Sequence, residues 1–225
     1  MNDTYKNNMQ IKKFGLYGLL KNLKFFEPFL LLFFLENNLN FVQIGFLYSI
    51  RESIIYIFEI PSGVFADRFG KKNELVLCFI LYILSFVTFF FAYDFFFMAL
   101  AMIFFGFGEA LRSGTHKAMI MEYLDVNDIK QKKSKIYGYT RSFSNLGSAV
   151  SSLIGIVLVL STPTIRYLFL FAIVPYLADL LLILSYPNYL NKKQEVSFNF
   201  GKFILENIKS VGYVFRNKRL ANYII

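Results

Sequence analysis

Cysteine, histidine and charge are all scarce in this 225-residue sequence. The single cysteine, Cys78, lies in an apolar run, so no intramolecular disulfide is possible and a disulfide-stapled miniprotein is excluded. The single histidine, His116, has no cysteine or carboxylate neighbours at metal-ligand spacing, and no nucleophile–base pair is recognisable. The glycines of Gly106-Phe107-Gly108 do not resemble a phosphate loop, so neither an enzyme nor a cofactor is expected. Charged residues make up only 17% of the chain and apolar ones 56%, against about 25% and about 45–50% in a soluble domain. With a mean hydropathy of +0.48, the excess is general, which excludes a soluble domain and a disordered chain alike. No cleavable signal peptide is present, because the first apolar run contains Glu27 and Pro28 and lacks a small-residue cleavage site.

What is present is a series of long apolar runs. A membrane helix needs about 20 mostly apolar residues, and six runs meet that need: 19–35, 41–66, 75–93, 95–124, 136–160 and 165–186. The expected fold class is therefore all-α integral membrane. The net charge of +9 raises nucleic acid as a partner, but the positions of the basic residues exclude it. Nineteen of the 24 fall before or at the start of the first run or after the second, fourth and sixth, and only Arg166 falls on the opposite side. That alternation predicts a multi-pass protein of the cytoplasmic membrane with its N-terminus in the cytoplasm.

Charges inside the runs need a reason, since one at mid-bilayer costs at least about 2.5–3.5 kcal/mol on insertion scales. In the fourth run, Glu109, Arg112 and His116 are spaced i, i+3 and i+7 and share one helix face. Glu52, Tyr56 and Glu59 do the same in the second, and Arg141, Asn145, Ser148 and Ser152 form a stripe in the fifth. Facing inward, these stripes line a wet cavity; the alternative is structural ion pairing and snorkelling. Glu109, Arg112 and His116 are the first candidates for substrate or ion contact, followed by Arg51, Glu52, Glu59 and Arg141. Lys117 and Asp179, which lie on no stripe, read as structural. Small residues in the fourth and fifth runs, among them Gly106, Gly108, Gly147, Ser151 and Gly155, fit close helix packing.

Between the second and third runs stands Gly63-Val-Phe-Ala-Asp67-Arg68-Phe-Gly70-Lys71-Lys72. Gly70 permits a tight reversal, and the basic pair is placed to anchor at an anionic membrane surface. As a string, Gly63, Asp67, Arg68, Gly70, Lys71 and Lys72 resemble the loop signature of the major facilitator superfamily, at the position where that family carries it. Gly106-Phe-Gly108-Glu109-Ala110 and Glu122 resemble its fourth helix. Met102 stands where a basic residue is usual, and Gly147-Ser148 departs from the antiporter pattern.

The resemblance implies half of a twelve-helix transporter, built as two inverted three-helix repeats, with the loop motif acting as a conformational switch in which Asp67 docks on the second half. The expected organisation is a cytoplasmic segment 1–18, a six-helix half-domain 19–186, and residues 187–225 as linker, interfacial helix and start of a seventh span. The expected function is secondary active transport of a small solute by alternating access, coupled to an ion, H+ first among them, with efflux one possible direction. A small-molecule substrate, the lipid bilayer and a C-terminal six-helix half are the expected partners. A membrane accessory or assembly protein is the alternative reading.

Overall fold

Inside a bilayer every amide must find its partner within the protein, and a helix achieves this within one segment. The computed structural model describes residues 8–193, which form eight α-helices with no strand among them. These are α1 (Met9–Leu20), α2 (Leu30–Glu36), α3 (Phe41–Phe69), α4 (Lys71–Phe91), α5 (Phe95–Arg112), α6 (Thr115–Val126), α7 (Lys133–Ser161) and α8 (Tyr167–Leu184). The stretches Phe41–Glu59, Lys71–Phe91, Phe95–Val126, Lys130–Ser161 and Tyr167–Leu184 are long and apolar enough to cross a membrane. They match the expected second to sixth runs. Most of the segment expected to hold the interfacial helix and seventh span, from residue 194 on, lies outside the described residues.

The first run differs from expectation. It is two helices, α1 and α2, separated by irregular residues 21–26 and a 3-10 turn, Glu27–Phe29. Pro28 has no amide hydrogen to donate and cannot sit inside a continuous helix without loss of a bond. Helix α1 also starts at Met9, well inside the segment expected to precede the membrane, and it buries Phe14 and Tyr17 completely. A second interruption separates α5 from α6, where Gly114 takes a left-handed φ of +77° that a residue with a side chain rarely adopts. Helices α1 and α6 are both 12 residues long, so each break lies about 18 Å of helix rise from the outer end of its short helix.

Helix α4 packs on α5 and α8, α3 packs on α5, and α1 packs on α7 and α8. Buried Gly147, Ser151 and Gly155 form a seam along α7 at every fourth residue. A methyl at Gly147 would collide with the Leu19 carbonyl oxygen, and one at Gly155 would lie 3.0 Å from that of Phe25. Small residues of this kind let backbones touch where lipid gives helices no hydrophobic drive to associate. The seam therefore holds α7 directly against the broken stretch.

Two polar clasps tie the helix ends. At one, the Arg166 guanidinium donates to the Phe90 carbonyl at 2.8 Å and to Asn37 Oδ1 at 2.9 Å, and lies 3.8 Å from the Tyr93 ring centroid. At the other, Gly70 turns α3 into α4 with φ +95°, fulfilling the reversal read from the sequence. Lys71 and Lys72 do not project freely there: Lys71 pairs with Glu122 at 2.8 Å, and Lys72 Nζ donates to the Tyr186 carbonyl at 2.8 Å. The tightness of the turn aims both side chains back at the ends of α6 and α8. Asn191 Oδ1 completes this clasp by accepting from the Lys72 amide at 3.1 Å.

The seam gives a direct test. Gly147→Ala is expected to destabilise the chain by about 1–3 kcal/mol through overpacking. Gly45→Ala, where an added methyl meets nothing within 4 Å, is expected to be neutral or stabilising by less than about 1 kcal/mol. Melting followed by size-exclusion fluorescence measures both, and equal melting temperatures would show that the seam is not close-packed.

Candidate functional site

The two helix breaks meet each other, and the charges gather where they meet. Glu109, one turn before the end of α5, accepts from Lys24 Nζ at 3.0 Å with one oxygen and from Arg112 Nη2 with the other. Arg112 Nε donates to the Tyr82 hydroxyl at 3.0 Å, which ties the cluster to α4. Lys24 also lies 3.5 Å from Glu27 and 5.4 Å from the centroid of the Phe105 ring. The Glu109, Lys24 and Arg112 side chains are only 14%, 19% and 24% exposed, so each carboxylate–cation contact is largely shielded from water. Shielded charges persist only when paired and hydrogen-bonded, and this cluster meets both conditions.

The breaks release backbone groups that must be satisfied locally. The Lys21 carbonyl accepts from the Tyr176 hydroxyl at 3.1 Å, and the Gly18 carbonyl accepts from the Asn22 side-chain amide at 2.7 Å. Across the second break, Ser113 Oγ donates to Glu59 Oε1, linking α3 to the end of α5. Thr115 Oγ1 donates to Glu74 Oε2 at 2.7 Å, linking α6 to α4. Irregular backbone at membrane depth is tolerated where it is buried in protein or lines a cavity, and both conditions apply here.

His116 sits two residues beyond Gly114 in an aromatic box. Its ring stacks on Tyr17 at 3.6 Å between centroids, meets the edge of Phe14 at 5.5 Å, and places Nε2 3.2 Å from the Tyr186 hydroxyl. Beside the box opens a cavity of about 240 Å³ between α1, the α5–α6 break and α7, with Arg112, His116 and Arg141 on its wall. Another cavity, of about 260 Å³, lies on Lys24, Glu27 and the serines Ser148, Ser151 and Ser152.

Four of the seven candidates thus come together: Glu109 and Arg112 in the ion cluster, and His116 and Arg141 with Arg112 around the first cavity. The other three lie along α3 and do not line that cavity. Arg51 pairs with its neighbour Glu52 at 2.6 Å and covers the Tyr48 ring, while Glu59 joins the assembly only through Ser113. Sequence reasoning counted Lys21 and Lys24 among loop lysines and passed over Glu74 and Tyr82. The pairing of a lysine with Pro28 and Glu27 in one short stretch was the available signal. Lys117, read as structural, lines the cavity. Asp179 is fully buried on α8, and neither of its oxygens has a hydrogen-bond partner among the described residues.

Comparison with known proteins agrees with this architecture. Over 126 residues the chain is 30% identical to the uncharacterized MFS-type transporter YxaM of Bacillus subtilis (strain 168), an alignment covering 56% of this chain and 32% of that protein. A solved POT family transporter in complex with 5-aminolevulinic acid superimposes with a TM-score of 0.69 at 16% identity, covering 96% of this chain and 47% of that one. A mutant peptide transporter POT in complex with sulfate gives 0.66 at 15% identity, covering 96% and 46%. The chain therefore spans less than half the length of each of these proteins. Residues 21–225 match the family profile described as Major Facilitator Superfamily. The chain belongs to the Major Facilitator Superfamily, whose members are multi-pass membrane transporters and not enzymes.

Proposed function

We propose that this chain is one helical half of a secondary active transporter that moves a small solute across the cytoplasmic membrane by alternating access, coupled to H+. The observation that carries the proposal is the meeting of two interrupted helices at Lys24, Glu109 and Arg112. Interrupted helices with charges at their ends are the usual construction of a transport site near the bilayer midplane. The reading of two inverted three-helix repeats is supported by the packing. Exchanging the first three segments for the last three turns the α3–α5 contact into the α7–α1 contact, and the α4–α5 contact into the α8–α1 contact. The interrupted segment is the first of each triplet. Basic-residue placement supports an N-terminus in the cytoplasm. Asp67 and Arg68 end α3 at the Gly70 clasp, which supports the loop motif as the switch closing that side against a second half. The accessory-protein alternative has no observation in its favour.

In this mechanism Glu109 carries the coupled proton. Protonating it would dissolve both ion pairs at once, freeing Lys24 from α5 and Arg112 from its counter-charge, so proton arrival and helix movement become one event. In the transporter that contains this chain, Glu109→Gln is expected to abolish pH-gradient-driven accumulation while leaving solute counterflow measurable. Retained accumulation at all pH values would remove Glu109 from the coupling.

The same cluster sets an order of stabilities. Glu109→Gln leaves Arg112 without a carboxylate and Lys24 with only Glu27, and is expected to cost about 3–5 kcal/mol. Lys24→Met leaves Glu109 bonded to Arg112 and is expected to cost clearly less. Thermal melts of the two variants side by side give the order, and a costlier Lys24→Met would mean that Arg112 alone cannot balance the carboxylate.

A further inference from the structure

The cavity of about 240 Å³ is lined by four cations, Lys21, Arg112, Lys117 and Arg141, and by no carboxylate. Glu109 is already bonded to Lys24 and Arg112 and lies off the lining. Arg141 has no hydrogen bond or ion pair among the described residues, Lys21 and Lys117 lie over the rings of Tyr17 and Tyr137 at 5.9 and 5.5 Å from the centroids, and Lys117 and Arg141 are exposed. Glu109 balances Arg112, whereas the three other basic groups have no carboxylate on the wall and leave it attractive to an anion. Helix α6 adds to it. Its first residue follows Gly114 with no side-chain cap and no acid in the first turn, and Gly114, His116 and Lys117 border the cavity. An uncapped helix start leaves its first amides without intrahelical acceptors and carries partial positive charge, so it complements an anion. Tyr17 and Tyr137 line the cavity beside Lys21 and Lys117.

From this wall we infer that the transported solute is a small organic anion, with its acid group held by Lys21, Arg112, Arg141 and the start of α6, and a flat body against the tyrosines. The inference rests on the transporter reading and narrows it to one substrate class. A cavity of this size suits a solute near the small end of the ligand range. The same anionic chemistry could also be presented by a phospholipid headgroup.

Benzoate is a suitable probe, with benzamide as its neutral counterpart. The 225-residue chain in phosphatidylcholine nanodiscs is expected to show a saturable thermal shift with benzoate and none with benzamide. Lys21→Gln and Arg141→Gln are each expected to weaken benzoate binding by about tenfold, the scale of one lost charge-assisted hydrogen bond. Lys130→Gln, which removes the same charge from a surface pair with Asp125, should leave it unchanged. An equal response to benzamide, or parental benzoate affinity in both cavity variants, would overturn the inference. So would a shift produced by phosphatidylglycerol in the nanodisc but not by benzoate, which would make the occupant a lipid headgroup. Binding in nanodiscs does not read translocation. Absent benzoate binding beside intact Glu109-dependent transport would therefore sink the anion and spare the transporter, and the reverse pattern would do the opposite.

Discussion

Glu109 is the point on which the rest of the arrangement turns. A carboxylate placed deep among apolar helices is tolerable only with its charge matched, and here Lys24 and Arg112 match it from two different segments. Lys24 can reach it only because the first segment is not a continuous helix. Residues 21–26 leave the helical path and carry the lysine toward α5. The break in turn exposes carbonyls, and α8 and α7 are shaped to receive them: Tyr176 donates to Lys21, and the glycine seam lets α7 lie against Leu19 and Phe25. Charge, break and close packing are therefore one structural solution and not three.

In the proposed alternating-access mechanism, close packing would favour two discrete states. Packed interfaces tend to switch between arrangements rather than deform gradually. The α1–α7 seam is backbone against backbone, with few long side chains to readjust, so α7 and the broken segment are suited to move as one body. The clasps at the two ends differ in kind. Arg166 binds carbonyl, amide and ring groups, whereas Lys71 and Lys192 reach Glu122 at 2.8 and 3.6 Å across an ion-paired end. An end held by ion pairs can exchange them for others at little cost, so the Gly70 end is the better suited to open.

Much of this was legible in the sequence. Hydropathy located five of the crossing helices to within a few residues at most ends, and the Gly70 reversal, the Glu109–Arg112 pair and the small residues at 147, 151 and 155 followed from spacing rules. The first segment was misjudged because hydropathy averages over a window and cannot register a break. Lys21 and Lys24, at the start of the assumed run, were counted with the loop charges before it. Arg51 and Glu52 show a different limit. Adjacent residues point to different faces of a helix, yet a long arginine can bend round to its neighbour, so a shared stripe with Glu59 did not mean a shared site. Glu74 could not be recognised by position, because its partner Thr115 is brought to it by the second break.

Equal spacing of the two breaks from the ends of their short helices has a further consequence for charge. One break delivers Lys21 and Lys24, the other Arg112 and the open start of α6. One carboxylate, Glu109, neutralises part of that charge on the α5 side. On the α7 side no acid answers it, and Arg141 adds to it. A site that were only a structural ion cluster would be balanced throughout, since each unmatched cation raises the cost of burial. An imbalance lies on the cavity wall, on the side where the protein leaves room. An electrostatic deficit that coincides with an unfilled volume is what a fold produces when the missing charge is supplied from outside.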